Sequence, residues 1–99
     1  MTNPSPAAMQ AVVCHGPKDY RLETIPTPVA GPHELVIQIA ACGICASDCK
    51  CHSGAAMFWG GNGQPPWVKA PVVPGHELFG YVAEAGEGAE EHFGVKVGD

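Results

Sequence analysis

Large apolar residues recur at every second position along residues 34–41, where Leu35, Ile37 and Ile39 fall on one face and the smaller or polar Val36, Gln38 and Ala40 fall on the other. Successive side chains of a β-strand point to opposite faces, so this period of two predicts a strand. The same alternation returns over residues 78–85 and predicts a second strand. Short strands, rather than long helices, are therefore the expected building blocks of the fold.

Shorter apolar runs predict a hairpin near the beginning of the chain and a last strand near its end. Residues 9–14 and 20–25 are compatible with strands, and Gly16 and Pro17 between them are typical of a tight turn. Residues 93–97 have the composition of a final strand. With the two alternating segments, these runs predict about five short strands.

One short helix and one long loop are expected between the strands. Residues 45–52 are compatible with one or two helical turns, with Ser47 available as a cap at the start and Gly54 as the stop. Residues 55–71 combine several glycines and prolines with four large apolar side chains and cannot form one regular element. A loop of this length inside a compact domain is usually functional or mobile.

These elements predict an all-β domain, a barrel or a sandwich, with one or two short helices. A chain of 99 residues can bury one modest core but not a core and a separate nucleotide-binding unit. Residues 1–8 carry two prolines and no pattern, so they are expected to form a flexible arm. Residues 9–99 are expected to form the domain.

Charge and cysteine content exclude several classes of partner. The formal net charge is −5, and five basic residues provide no footprint for nucleic acid or an anionic membrane surface. No apolar run approaches the roughly 20 residues of a membrane span, and the N-terminus lacks the features of a signal peptide. Four of the five cysteines fall within ten residues, which in a reducing compartment favours metal binding over disulfides. A cytoplasmic protein is expected.

Candidate chemistry lies at the junctions between strands and turns. A catalytic zinc site needs about three protein ligands drawn from cysteine, histidine and carboxylate, and Cys45, His76 and Glu77 supply these types. A thiolate at the start of a helix is favoured by the helix dipole, which suits Cys45. Asp48 could then orient the His76 imidazole. Taken singly, however, a histidine beside a glutamate is usually an ordinary surface or core residue. Cys14 is more readily explained by packing, as is Cys42.

Three ordered motifs carry a resemblance to a known family. They are Ala41-Cys42-Gly43-Ile44-Cys45-Ala46-Ser47-Asp48, Pro74-Gly75-His76-Glu77 and Val97-Gly98-Asp99. In this order they resemble the opening third of zinc-dependent medium-chain alcohol and polyol dehydrogenases, including the sorbitol, threitol and erythritol dehydrogenase branch. The resemblance extends from about Gln10 onward and implies a GroES-like, partly open β-barrel.

The resemblance also implies roles for individual residues. Cys45 and His76 match zinc ligands, and Glu77 matches the neighbouring acid at or near the metal. Ser47 matches the hydroxyl that accepts the substrate proton, and Asp48 matches the acid that supports the histidine ligand.

Two features depart from the family pattern. Lys50 stands where several members have a histidine of the proton relay, so the exit route of the proton stays open between water and a coenzyme hydroxyl. The segment between Cys45 and His76 is longer than is typical. Its aromatic residues either line an enlarged substrate cleft or pack under the loop, and the candidates for the cleft are Phe58, Trp59 and Trp67.

The family implies a larger enzyme than this chain. The resemblance leads us to expect a fragment that ends at Asp99 before the Rossmann domain, which would bind NAD or NADP, and before the lobe that holds a structural zinc. The expected partners are a small alcohol or polyol substrate and the missing coenzyme-binding domain, and the whole enzyme is expected to be a homodimer or homotetramer. By itself the fragment is expected to be inactive, because no dinucleotide-binding glycine motif occurs in it.

Two other functions stay open at this stage. One is a zinc-free oxidoreductase of the quinone-reductase type, against which the combination of Cys45, His76 and Glu77 argues. The other is a non-enzymatic GroES-like module used for assembly or binding, because fold alone does not decide function. Metal content distinguishes both from a zinc enzyme.

Overall fold

The structure is a computed structural model that describes residues 7–99, so most of the predicted arm at residues 1–8 lies outside the described residues. Within these described residues, four strands and three short helices follow one another. They are β1 (Ala8–Gly16), β2 (Asp19–Pro26), β3 (Leu35–Gly43), α1 (Ala46–Ser53), α2 (Ala56–Trp59), β4 (Glu77–Ala85) and α3 (Ala89–Phe93). Within residues 7–99, no helix is long and apolar enough to cross a membrane.

The strands pair into two small sheets, one formed by β1 and β2 and the other by β3 and β4. The predicted hairpin near the start of the chain and the two alternating strands are therefore confirmed. The chain divides into two compact units, one containing residues 10–25 and 43–77 and the other containing residues 7–9, 26–42 and 78–99. An all-β class with short helices, as predicted, describes both units.

The unit that holds residues 10–25 and 43–77 is organised around the β1–β2 hairpin. Cys14 is fully buried, as its predicted packing role requires, and its backbone forms a two-way bridge with Val72 at N–O distances of 2.7 and 3.1 Å. In the turn of the hairpin, the Lys18 amide donates to the carbonyl of His52 in α1 at 2.8 Å. The hairpin therefore holds both the end of the long loop and the end of α1.

The other unit is built on β3, β4 and α3. Among the described residues of this unit, Val82 of β4 and Ala89 of α3 are the buried apolar ones. The Val82 amide donates to the Asp99 carbonyl at 2.9 Å, and the Gly98 amide donates back to Val82 at 2.8 Å. These bonds fasten the last residues of the chain to β4.

The predicted last strand over residues 93–97 is wrong, because a helix, α3, occupies Ala89–Phe93. Glu90 and Glu91 lie in its first turn, where carboxylates are stabilised by the partial positive charge of a helix N-terminus. Gly94, at φ 68°, ends the helix, and its amide donates to Glu90 at 2.9 Å. The apolar residues after Phe93 are too few to form a strand once the helix has ended.

The helix predicted over residues 45–52 is confirmed as α1, but its cap is not the predicted one. Cys45 occupies the N-cap position, and its amide donates to the Asp48 carboxylate at 2.8 Å. Ser47 is the second residue of the helix, within its first turn. Gly54 ends the helix in the left-handed conformation at φ 93°, as expected of a glycine at this position.

The long loop over residues 55–71 contains one regular element that the sequence did not indicate. Ala56–Trp59 form the single-turn helix α2, and the Phe58 carbonyl accepts the amides of Trp67 and Val68, both at 2.9 Å. An isolated bridge between Gly61 and Gln64 closes the tight turn between them. The loop is thus folded on itself.

Candidate metal centre

Three potential metal ligands from distant parts of the sequence lie together in one unit. One ligand atom from each of Cys45, His76 and Glu77 can be chosen so that all three lie within 4.8 Å of one another. Tetrahedral zinc, with bonds of about 2.0–2.3 Å, places its ligand atoms roughly 3.3–3.8 Å apart, so modest side-chain rotations would bring all three atoms onto one ion. Cys45 is half-buried, whereas the other two residues are exposed. The three donor types and their proximity fit a divalent metal ion such as zinc.

The end of β3 and the start of α1 fix the position of Cys45. Its amide donates to Oδ2 of Asp48 at 2.8 Å, and the Asp48 amide donates to the Cys45 carbonyl at 3.0 Å. These reciprocal bonds hold the first turn of the helix around Cys45. The thiol therefore projects from an ordered backbone.

The same Asp48 carboxylate faces the histidine of the cluster. Its other oxygen, Oδ1, lies 3.3 Å from Nδ1 of His76. One carboxylate thus contacts the backbone of one candidate ligand and the ring of another. A carboxylate on one ring nitrogen leaves the other nitrogen available to bind a metal and fixes the orientation of the ring.

Hydrogen bonds within the cluster shift two pKa values in opposite directions. Bonds from the Ser47 side chain and amide, followed by a bond with His76, hold the pKa of the Cys45 thiol below its usual value, although the charge of Glu77 acts in the opposite sense. The bond with Cys45 and then the Asp48 charge raise the pKa of His76. The thiolate is the form that binds metals, so the surroundings of Cys45 favour a ligand.

Glu77 is the first residue of β4 and lies opposite Gly43 at the end of β3. A β-carbon on Gly43 would lie 3.3 Å from Oε2 of Glu77, a contact tighter than most. The absence of a side chain at position 43 thus leaves room for the carboxylate. This role of Gly43 was not apparent from the sequence, because a glycine in a motif does not identify its neighbour.

The structure places the two remaining polar candidates differently. Ser47 is half-buried, and its hydroxyl bonds with the Cys45 sulfur, so it lies within the cluster. Lys50 is exposed on α1, and its carbonyl accepts the Ser53 hydroxyl at 3.1 Å and the Ala55 amide at 3.0 Å. Among residues 7–99, no hydrogen bond joins the Lys50 ammonium to Ser47.

The three aromatic residues of the long loop do not share one environment. Phe58 and Trp67 form a pair with ring centroids 5.8 Å apart, and Trp67 is 75% exposed. Trp59 instead donates its indole N–H to the carbonyl of Cys51 in α1 at 2.7 Å. The pair offers an apolar surface to a ligand, whereas Trp59 is bound to the helix.

Other cysteines of the crowded segment are not part of the cluster. Cys49 is exposed and Cys51 is half-buried, and both belong to α1. Cys42 is exposed in β3, so the predicted packing role is wrong for this residue. The thiol of Cys51 bonds with the Tyr20 hydroxyl, and burial followed by this bond raises the pKa of Tyr20. The contact between Tyr20 and α1 was not apparent from the sequence.

A mainly β domain that brings a thiol, an imidazole and a carboxylate together is, by its fold and its donor set, a candidate catalytic domain of a metalloenzyme. Residues 31–99 match the alcohol dehydrogenase GroES-like domain, and the chain belongs to this family. The GroES-like fold and the family expected from the three motifs are therefore confirmed.

Curated relatives and a solved structure agree with this family. The chain is 52% identical over 99 residues to the erythritol/L-threitol dehydrogenase of Mycolicibacterium smegmatis, covering 100% of this chain and 27% of that protein. It is 40% identical over 93 residues to the (R,R)-butanediol dehydrogenase of Bacillus subtilis, covering 92% and 26%. The crystal structure of 2R,3R-butanediol dehydrogenase from Bacillus subtilis superposes with a TM-score of 0.73 at 39% identity, covering 91% of this chain and 26% of that one. The chain thus spans about a quarter of the length of these relatives.

Proposed function

We propose that the protein containing this chain is a zinc- and NAD(P)-dependent dehydrogenase that oxidises a primary or secondary alcohol of the polyol class to a carbonyl. The convergence of Cys45, His76 and Glu77 within 4.8 Å is the observation that carries this proposal. The activities for which the relatives are named support it, since they include erythritol/L-threitol, butanediol and sorbitol dehydrogenases. The activity is proposed for the whole protein, because the matched part is about a quarter of those enzymes.

The proposed zinc ligands are Cys45, His76 and Glu77. When bound, zinc supplies a Lewis acid that lowers the pKa of a substrate hydroxyl, and a nicotinamide coenzyme supplies the hydride acceptor. Ser47 lies next to the Cys45 sulfur, where its hydroxyl can accept the substrate proton and pass its own proton toward solvent. The exposed position of Lys50 supports release of that proton to water.

Phe58 and Trp67 are the proposed apolar wall of the substrate site. Their tilted pair and the exposure of Trp67 support a surface for the C–H face of a carbon chain, whose hydroxyls would face the polar cluster. Trp59, also a candidate for this wall, has its polar atom engaged by α1, and this contact supports a different role for it. A polyol, with hydroxyls on adjacent carbons, suits such a site better than a long apolar alcohol.

We further propose a cytoplasmic enzyme that is a homodimer or homotetramer. No disulfide forms among the five cysteines, all of which are described, and this suits a reducing compartment. Large apolar side chains are exposed, Ile44 at 83% and Val29 at 79% among them. Such surface favours cover by a coenzyme-binding domain or by another subunit.

The Asp48→Asn variant tests the role of the carboxylate that faces His76. Asparagine keeps an oxygen for the Cys45 amide but loses the charge 3.3 Å from the imidazole. We expect zinc affinity to fall by ~10–100-fold, the usual effect of losing a partner of a metal ligand. A competition titration with a chromophoric chelator measures this change. Asp19→Asn, which removes an exposed carboxylate paired with Arg21, serves as the control and should leave affinity unchanged; equal affinities in the two variants would refute the role.

A substrate and metal assay of the whole protein tests the proposed function. Erythritol, L-threitol, 2,3-butanediol and sorbitol are offered with NAD and with NADP, before and after removal of metal and again after zinc is restored. We expect oxidation of at least one polyol that disappears with the metal and returns with zinc. Full activity in verified metal-free protein would favour the zinc-free oxidoreductase. Absence of oxidation with every alcohol and both coenzymes would favour the binding module.

A further inference from the structure

Helix α1 and its N-cap supply Cys45, Ser47 and Asp48 to the candidate metal centre, but the helix has little packing of its own. Its eight residues include no buried side chain. Helices shorter than about 12–15 residues are marginal in water unless tertiary contacts hold them. The orientation of Cys45, Ser47 and Asp48 therefore depends on what holds the two ends of this helix.

The C-terminal end of α1 is held through three consecutive carbonyl groups. The backbone carbonyl groups of a last helical turn have no amide partner within the helix. Here each of the three accepts a hydrogen bond from a donor outside the helix. The Lys50 carbonyl accepts the Ala55 amide at 3.0 Å, and the His52 carbonyl accepts the Lys18 amide at 2.8 Å. Between them, the Cys51 carbonyl accepts the Gly54 amide at 3.3 Å and, by a shorter bond, the indole N–H of Trp59 at 2.7 Å. Trp59 is the donor among these that a side-chain substitution can remove.

Trp59 is itself well anchored, so it can fix what it binds. It ends α2, and the preceding carbonyl, that of Phe58, accepts the amides of Trp67 and Val68 at 2.9 Å each. The indole is half-buried. It therefore connects a folded loop to α1 by a short, directional bond.

We propose that Trp59 is a positioning residue for the metal centre, acting through α1. A rise of about 1.5 Å per residue places Cys51 about 9 Å from Cys45 along a helix that moves as one body. Holding the Cys51 carbonyl thus sets the angle at which Cys45 and Asp48 face His76. The inference rests on the proposed zinc site. It adds a residue, Trp59, that is not one of the proposed ligands and acts on them through α1.

The Trp59→Phe variant removes the N–H donor and keeps an aromatic ring. In the whole protein we expect zinc affinity to fall by about tenfold, at the lower end of the effect of residues that support metal ligands. The cobalt(II)-substituted variant should show altered visible absorption and a weaker thiolate-to-cobalt band, and kcat should fall more than KM rises. Loss of general stability would not change the spectrum of the bound cobalt, so the spectrum separates positioning from a merely structural role.

Two further proteins make the test decisive. Tyr81→Phe removes the hydroxyl of an exposed aromatic residue in the other unit, keeps its ring, and serves as the control for metal affinity and cobalt spectrum. A protein with 3-benzothienylalanine at position 59 replaces only the N–H by sulfur and keeps the ring shape, so it should fold even if the phenylalanine variant does not. An unchanged affinity and cobalt spectrum in this protein would overturn the role of Trp59 while leaving the zinc site intact. A wild-type protein that binds neither metal at this site would overturn the proposed function, and the positioning role with it.

Discussion

The Cys45→Ser variant is expected to lose one zinc ion per chain under conditions in which the wild type retains it. The thiol is held at the N-cap of α1, and hydrogen bonds from Ser47 and His76 lower its pKa toward the thiolate form that binds zinc. A serine hydroxyl stays protonated near neutral pH and is a poor substitute. The loss of affinity should exceed the ~10–100-fold typical of residues that only support a ligand. Elemental analysis combined with a chelator competition measures both quantities.

Cys49→Ser is the matched control for this experiment. Cys49 belongs to the same helix, is exposed and is not among the clustered ligand atoms. The change of sulfur to oxygen is the same in both variants, so general effects of losing a thiol cancel. Zinc content that is equal in the two variants would contradict the assignment of Cys45.

The Ser47→Ala variant is expected to keep its zinc and lose most of its turnover. Positioned proton transfer contributes roughly 10²–10⁴-fold to enzymatic rates, so we expect a fall in kcat of about this size. Loss of the Ser47 hydroxyl also removes the largest cause that lowers the pKa of Cys45. Protons should therefore compete more strongly for the thiolate, and the decline of zinc affinity on acidification should begin at a higher pH than in the wild type.

Ser53→Ala is the control for the hydroxyl. Ser53 lies in the same helix, is exposed, and donates to the Lys50 carbonyl at 3.1 Å rather than to the metal cluster. Steady-state rates on the best polyol from the substrate panel, with zinc content measured on the same samples, compare the two variants. If both keep wild-type kcat, Ser47 has no part in moving the proton.

Elements with a repeating pattern could be predicted from the sequence. The alternation over residues 34–41 and 78–85 has a direct physical cause in the pleat of a strand, and β3 and β4 follow it to within about two residues. The segment at Ala89–Phe93 has no such period. Its helix depends on two acidic residues in the first turn and on Gly94 at the end. The few apolar residues nearby favoured a strand instead, and the strand prediction was therefore wrong.

Candidate ligands could be predicted because residue types and motif order carry information about chemistry. Cys45 and His76 are brought together as the motifs implied, and Asp48 faces the imidazole at 3.3 Å. Contacts between a side chain and a distant backbone carbonyl have no corresponding sequence motif. The bond from Trp59 to the Cys51 carbonyl depends on how the long loop folds, and no spacing of residues indicates it.

A crystal structure of the zinc-loaded whole protein, with anomalous differences recorded on both sides of the zinc edge, tests the metal centre most directly. We predict a zinc peak about 2.3 Å from Sγ of Cys45 and about 2.0–2.1 Å from a ring nitrogen of His76. The Glu77 carboxylate should lie at or next to the same ion. A fully loaded crystal with no zinc peak within bonding distance of both the Cys45 sulfur and the His76 ring would contradict the assignment.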